Sequence, residues 1–377
     1  MNLLKRTFIA VAVSIASLSA VSAQDTIVVP RVVTAMGQNH HVQGIAFDAQ
    51  AGCMYFSFTT TFVKTDLQGN VLGTIKNIQG HLGSMTFDPA TRKVYASLEF
   101  KDDVIGAGLS AFAKGNSRFY IAIVDVDKVN AMEMEPELDN VLRTVCLEDV
   151  VDDYAAKVVL DGNTVDHRYS CSGIDGVTIA PKIGRKGGRN YLYCAYGIYR
   201  GDDRSDNDYQ VIGRYDLREL DRLASSVRFE VEDRKGVEKP LDKYFVYTGN
   251  TSWGVQNLCY DAFTHKMFMA VYKGSKPQFP NYSLFAVDMS RKPVKGILEG
   301  VSYDTSRHAQ PFLCQDGLKD AGTGVSGWNF GLGSTGMSSL GGGLFYISEN
   351  GSAGGVQFCK ARLFRWTGEP SDPFTEP

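Results

Sequence analysis

The sequence lacks an excess of charge of either sign. It carries 39 Lys and Arg against 42 Asp and Glu, for a formal net charge of -3, and it contains no basic tract. Because nucleic acids and anionic membranes attract concentrated positive charge, we expect neither as a partner. After the first 23 residues no stretch is long and apolar enough to cross a membrane, so we also expect no membrane insertion.

Familiar cofactor motifs are missing as well. The seven cysteines match no zinc spacing, and the acidic run from Asp202 to Asp208 does not have the spacing of an EF-hand loop. No glycine-rich loop of the phosphate-binding kind occurs, which leaves nucleotide or phosphate-ester hydrolysis as the weakest of three functional hypotheses. We expect the cysteines to be mostly buried free thiols, with at most one or two disulfides among those nearer loops.

The N-terminus has the pattern of a secretory signal peptide. Lys5 and Arg6 precede a mostly apolar stretch over 8–21, and Ala23 ends a small-residue cleavage site. No cysteine follows this site to carry a lipid anchor. We therefore predict a signal peptide over 1–23, a secreted or periplasmic location, and a single monomeric domain over 24–377.

Five short segments with related beginnings recur along the rest of the chain. They start at His41, His81, Gly173, Gly254 and, more weakly, Ser334, and each is followed by a tight turn and a second apolar strand. A strand-turn-strand unit that recurs in this way along a chain is typical of a β-propeller. The predicted strands are 42–47, 53–58, 61–66 and 70–76 in blade 1; 82–87, 93–98, 118–126 and 140–147 in blade 2; 174–180, 190–196, 208–215 and either 226–232 or 242–247 in blade 3; 255–260, 266–272, 282–288 and 295–301 in blade 4; and 335–340, 343–348 and 360–366 in blade 5.

The fold class predicted is therefore all-β, a five-bladed propeller closed by an N-terminal strand. Blade 5 lacks an outer strand, and the β-rich segment 26–33 is available to supply it, which would remove the open edges of the ring. Six or seven blades is the alternative, because the interval between the second and third segments is long enough to hide one. The Gly-rich segment 302–333 is predicted to be a long loop over the channel.

One face of this propeller is predicted to carry the function, since it receives long polar connections while the other receives plain hairpins. Aligning the segments places polar residues in two columns. The columns are two positions apart, and therefore their side chains lie on the same side of each strand. Both columns should line the central channel: His41, His81, Gly173, Gly254 and Ser334 in the first, and Gln43, Gly83, Asp175, Gln256 and Gly336 in the second. Gln43, Asp175 and Gln256 would suit a calcium ion in the channel.

At the level of architecture, the signal peptide, the blade repeat and the polar, aromatic face resemble those of secreted bacterial propellers that act on glycans. These are the sialidase-like, glycosidase and polysaccharide-lyase groups, and the resemblance implies a glycan or oligosaccharide partner. The sialidase repeat Ser-x-Asp-x-Gly-x-x-Trp is absent, so the resemblance assigns no catalytic residue.

The candidate residues follow from the chemistry of each hypothesis. Hydrolysis needs two carboxyl groups across the scissile bond, for which Asp175, Glu99 and Glu349 are candidates. Elimination needs a base, an acid and a group that neutralises the substrate carboxylate, for which His41 or His81, Tyr199 and Arg200 are candidates. Substrate-binding candidates on the same face are Gln43, Gln256, Asn257, Trp253, His167, Lys273 and Trp328. The alternative to an enzyme is a non-catalytic propeller that binds a glycan or protein there.

Overall fold

The inner strands of five β-sheets contact one another in a closed cycle. A computed structural model of the chain describes residues 29–37, 40–109, 115, 117–229 and 236–377. Within them, the first strand of each blade contacts the first strand of the next, and that of blade 5 contacts that of blade 1. The predicted five-bladed, all-β propeller is confirmed, and the count of six or seven is wrong. The predicted signal peptide lies outside the described residues.

Each blade is an antiparallel sheet whose strands follow one another from the channel outward. The strands are Gly44–Asp48, Cys53–Ser57, Phe62–Asp66 and Val71–Ile75 in blade 1; His81–Asp88, Lys93–Phe100, Arg118–Asp125 and Leu142–Leu147 in blade 2; Cys171–Pro181, Asn190–Ile198, Tyr209–Tyr215 and Asp242–Tyr247 in blade 3; Ser252–Asp261, Lys266–Tyr272 and Leu284–Asp288 in blade 4; and Met337–Gly341, Leu344–Ala353 and Val356–Trp366 in blade 5.

Shorter strands and helices are added to the blades of this ring. Short strands extend the blades or form separate hairpins: Ser225–Ser226 and Gly236–Val237 on blade 2, Val294–Gly296 and His308–Gln310 on blade 3, Phe374–Thr375 on blade 5, and the hairpins Lys157–Leu160 with Asn163–Asp166 and Leu318–Lys319 with Ser326–Gly327. The described helices are Val104–Leu109, Glu148–Ala155 and Leu217–Leu223, with a 3-10 turn at Arg168–Ser170. None of these helices has the length and apolarity needed to span a bilayer.

The N-terminal strand closes the ring as predicted, but it starts later. Val32–Met36 pairs antiparallel with Val356–Trp366 and becomes the outer strand of blade 5. Its alternate residues Val33 and Ala35 are buried against blades 1 and 5. Pro30 has no N–H to donate to a neighbouring strand, which accounts for the strand beginning only after this residue. Of the predicted segment 26–33, residues 26–28 lie outside the described range.

The outer edge of blade 4 differs from the prediction. The segment 295–301 is not its fourth strand, because Val294–Gly296 pairs with His308–Gln310, which in turn joins blade 3. The third strand of blade 4 instead forms isolated bridges at Trp328 and Leu313. The prediction that 302–333 is a loop over the channel is therefore wrong. This segment supplies the hydrogen bonds that the open edge of the blade requires.

The core lies between the blades and determines where the polar columns point. The apolar residue after the first position of each clear repeat is fully buried, at Val42, Leu82, Ile174 and Val255. Because successive residues of a strand face opposite ways, their polar neighbours are turned toward the channel. All seven cysteines are buried free thiols, so none of the disulfides left open by the sequence is formed.

Candidate functional site

The first strands of three blades share an irregularity at the channel mouth, the end of the channel where these strands begin. Their pairing with the second strands shifts register at the same place: between Leu82 and Met85 in blade 2, Ile174 and Val177 in blade 3, and Val255 and Asn257 in blade 4. Bulges of this kind bend a strand and re-aim its side chains, and they are common beside active sites. Asp175 and Gln256 both lie within these shifts.

A cavity of about 470 Å³ opens at this mouth, on the face that the sequence predicted to be functional. We call it the central cavity. It brings together seven of the predicted residues, which are His41, Gln43, His81, Glu99, Asp175, Trp253 and Gln256. It is completed by His40, Thr59, Lys101, Asp103, Ser172 and Tyr272, and by part of the helix Val104–Leu109.

Glu99 is a buried carboxylate held by the Lys101 ammonium, the His81 imidazole and a backbone amide. Its side chain is 3% exposed, and its Oε1 accepts from Lys101 Nζ at 2.7 Å and lies 3.5 Å from His81 Nδ1. Its Oε2 accepts from the Ile174 N–H at 3.2 Å. Burial opposes ionisation of Glu99, but the Lys101 ammonium and His81 outweigh it and bring the pKa of Glu99 below its ordinary value. Glu99 is therefore ionised at neutral pH.

A glycine makes room for this carboxylate. Gly173 has φ +115°, and a Cβ placed on it would lie 2.3 Å from Glu99 Oε2 and 2.6 Å from the Phe119 ring. A side chain at this position would be strained and would also displace Glu99. The glycine in the first polar column thus has a definite role, which is to admit the carboxylate of the neighbouring blade to the channel.

Asp175 is the second carboxyl group of the pair. It accepts a hydrogen bond from Gln256 Nε2 at 3.0 Å. Burial, followed by the negative charge of Glu99, raises the pKa of Asp175 well above its ordinary value, although Lys101 opposes the shift. Of the two carboxyl groups, Asp175 therefore keeps its proton to the higher pH, and Glu99 is the one that ionises first.

His41 and Gln43 form a second polar pair in the wall of the central cavity. Gln43 Nε2 lies 2.9 Å from His41 Nε2, and because an amide nitrogen can only donate, the imidazole nitrogen accepts and its proton is on Nδ1. Burial and the neighbouring His81 and His40 lower the pKa of His41 below its ordinary value. His41 is thus a neutral imidazole at neutral pH.

Two exposed aromatic rings stand at the rim. Trp253, with φ 70°, is 46% exposed, and Tyr272 is 38% exposed. They are held near each other because Ser252, the neighbour of Trp253, pairs with Tyr272 across the first two strands of blade 4. Large apolar surface at the edge of a polar cavity is typical of a ligand site.

Three predicted residues lie beside the central cavity without lining it. Tyr199 packs between His167 and Trp253, with ring centroids 4.9 and 6.4 Å away. His167 Nδ1 lies 2.5 Å from the carbonyl oxygen of Tyr154, which ties the ring to the end of the helix Glu148–Ala155. Arg200 is exposed and donates to Ser275 Oγ at 2.9 Å. The acid and the carboxylate-neutralising group suggested for an elimination are therefore not assembled with the histidines.

The remaining predicted residues serve the fold or lie apart from the central cavity. Trp328 is 0% exposed and packs between blades 4 and 5, so its ring is not available to a ligand. Glu349 forms an ion pair with Arg362 at 2.6 Å within blade 5. Asn257 is buried and donates to the carbonyl oxygens of Gln43 and Ser334, which ties three blades together. Lys273 lines a neighbouring cavity instead.

Sequence reasoning missed Lys101 and Tyr272. A signal for Lys101 exists, since it stands two residues after Glu99 and residues at this interval share one side of a strand. Tyr272 ends a strand of apolar residues, and the sequence alone does not distinguish it from a core tyrosine. Both residues line the central cavity.

The site also contains metal-ligating groups. His81, Glu99 and Asp175 each offer an atom within 4.8 Å of the others. An imidazole among two carboxylates suits a transition metal better than the calcium expected from the sequence, which prefers oxygen ligands. The Lys101 ammonium already places a positive charge beside these three residues. Among the groups expected to bind calcium, Asp175 Oδ2 accepts from Gln256 Nε2, and Gln43 uses its amide nitrogen toward His41 Nε2.

No protein-family model matches the chain, and no curated protein matches it. Among solved structures it is similar to a glucose dehydrogenase, with 11% identity over 88% of this chain and 99% of that chain and a TM-score of 0.38. It is also similar to a hydrazine synthase of Kuenenia stuttgartiensis, with 12% identity over 66% of this chain and 64% of that chain and a TM-score of 0.31. Similarities this low carry no argument about function, and none of them shows a carbohydrate-active family.

Proposed function

We propose that the chain is a glycoside hydrolase whose reaction takes place between Asp175 and Glu99. The observation that carries the proposal is a pair of neighbouring carboxyl groups whose pKa values are displaced in opposite directions. Glycoside hydrolysis requires one carboxylic acid to protonate the leaving oxygen and one carboxylate to act at the anomeric carbon. Asp175 takes the first role and Glu99 the second.

The separation of the pair favours retention of anomeric configuration. An oxygen of Glu99 and one of Asp175 lie within 4.8 Å. Retaining enzymes have carboxyl groups about 5–5.5 Å apart, whereas inverting enzymes need about 6.5–9.5 Å to admit a water between them. In the first step Glu99 bonds to the anomeric carbon as the C–O bond breaks and Asp175 protonates the leaving oxygen. In the second step water displaces Glu99 and gives a proton back to Asp175.

The other groups of the central cavity fit the binding of a sugar. The exposed rings of Trp253 and Tyr272 offer flat apolar surfaces, and Gln43, Gln256 and His41 offer hydrogen-bonding atoms for hydroxyl groups. Lys101 keeps Glu99 ionised, which a nucleophile requires. The predicted signal peptide supports a further proposal, that this reaction takes place in the periplasm or outside the cell.

The test uses purified protein on a panel of polysaccharides and aryl glycosides. Release of reducing ends should fall at least about a hundredfold in Asp175→Asn and in Glu99→Gln, the loss expected for a general acid or a nucleophile. Glu349→Gln is the matched control, since Glu349 is ion-paired on blade 5 outside the cavity, and it should keep full activity. Full activity in both cavity variants would refute the assignment.

A polysaccharide lyase is the second candidate, and the neutral imidazole of His41 is the observation that favours it. A neutral imidazole in the cavity could remove the proton next to a uronic acid carboxylate. The same panel separates the two reactions, because elimination gives an unsaturated product that absorbs ultraviolet light and hydrolysis does not. Binding without any cleavage would instead favour the non-catalytic glycan-binding propeller.

A further inference from the structure

A second cavity, of about 330 Å³, lies next to the central cavity, and Tyr272 lines both. Its other polar and aromatic lining groups are Lys273, Ser283, Asn329, Phe330 and Ser334. A ligand that leaves the central cavity past the exposed Tyr272 ring would enter this second cavity. The arrangement therefore suits a chain of linked units rather than one compact molecule.

The wall of the second cavity is held in place before any ligand binds. Ser283 Oγ donates to the carbonyl oxygen of Phe330 at 2.7 Å and lies 2.8 Å from its backbone nitrogen, which donates in return. Lys273 Nζ donates to Asn329 Oδ1 at 2.8 Å. A preformed wall lowers the entropy lost on binding, so the cavity is suited to hold a ligand.

The two cavities differ in charge. The central cavity contains the carboxyl groups of Glu99, Asp103 and Asp175. In the described part of the chain no carboxyl group lines the second cavity, and Lys273 is its cation. An ammonium has three N–H groups, of which the contact with Asn329 uses one. Lys273 can therefore donate to an anionic group of a ligand that lies in the second cavity.

We propose that the second cavity is a subsite for the neighbouring sugar of an acidic glycan, with Lys273 bound to the anionic substituent of that sugar. The inference rests on the proposed function, because it places the scissile bond in the central cavity. The anionic substituent is a carboxylate or a sulfate, which present the same charged oxygen atoms to an ammonium. The substrate class that follows is a uronic acid or sulfated polysaccharide.

The experiment compares Lys273→Met with Lys295→Met, which makes the same charge change on an exposed lysine at the outer edge of blade 3. Three sets of oligosaccharides of equal length serve as probes: neutral hexose, uronic acid and sulfated hexose chains. We expect the wild type to have a higher kcat/KM on one of the acidic sets. Lys273→Met should lower that preference at least about tenfold, the loss of one charge-assisted hydrogen bond, and Lys295→Met should not lower it.

Affinity measured by titration calorimetry in the Asp175→Asn background separates this inference from the proposed function. If the wild type cleaves glycans and Lys273→Met keeps the wild-type preference, the subsite is refuted while the hydrolase stands. If nothing is cleaved but acidic chains bind in a way that depends on Lys273, the subsite stands and the hydrolase is refuted. If no acidic chain is bound or cleaved better than a neutral one, the subsite is refuted.

Discussion

Replacing Lys101 by methionine should leave the Glu99 carboxylate buried without its closest cation. Lys101 Nζ lies 2.7 Å from Glu99 Oε1, and at an effective dielectric constant of about 20 two unit charges at this distance attract by about 6 kcal/mol. Much of this attraction is offset by the loss of hydration of both ions, so the net contribution of the pair is small. Removing only one partner is different, and it typically costs about 3–5 kcal/mol.

We expect Lys101→Met to lose stability at the lower end of this range, because His81 and the Ile174 N–H still face Glu99. The sign of the pH dependence follows from the lowered pKa of Glu99 in the folded wild type. Its ionised form contributes stability above the unfolded pKa of about 4.3, and this contribution is lost as the pH falls through the folded value. The difference in stability between wild type and Lys101→Met should therefore be full at pH 7 and narrow below about pH 4.

The assay is urea unfolding of wild type, Lys101→Met and the double variant Lys101→Met/Glu99→Gln at several pH values. The double variant removes both charges and should recover most of the stability lost at pH 7. Equal stabilities of the single and the double variant, or a difference that does not change with pH, would refute this account of the site. Either outcome would mean that Glu99 is not held as an ion by Lys101.

Three further predictions follow from the site and the ring. The kcat/KM on a glycan substrate should fall at low pH, because Glu99 gains a proton, and at high pH, because Asp175 loses its proton. If kcat/KM does not fall at high pH, a protonated Asp175 is excluded as the acid. Gly173→Ala should be less stable than Gly341→Ala, since both backbones have positive φ but only the first Cβ meets the Glu99 carboxylate; equal thermal midpoints would contradict this. Deleting residues 24–36 should lower the midpoint strongly by opening the ring at Val356–Trp366, and an unchanged midpoint would show that the closing strand adds little stability.

The sequence predicted most of the ring because local patterns carry the information. A strand, a turn and a second strand are set by neighbouring residues, so the inner strands of every blade were found close to their observed bounds. The outer edge of blade 4 was not found, because it consists of single bridges at Leu313 and Trp328 from a segment with no strand pattern. The sequence also predicts that Trp328 binds substrate, and this is wrong because the side chain is fully buried between blades 4 and 5.

By itself the sequence determined the blade repeat, the closing strand, the face on which the central cavity opens and the columns that bring His41, His81 and Asp175 to the channel. Only the tertiary structure placed Glu99 and Lys101 beside Asp175, because they belong to another strand of another blade and reach the channel through the space above Gly173. The opposite pKa displacements of the two carboxyl groups have the same origin. They depend on burial and on charges a few ångströms away, which are properties of the packed ring and not of either segment alone.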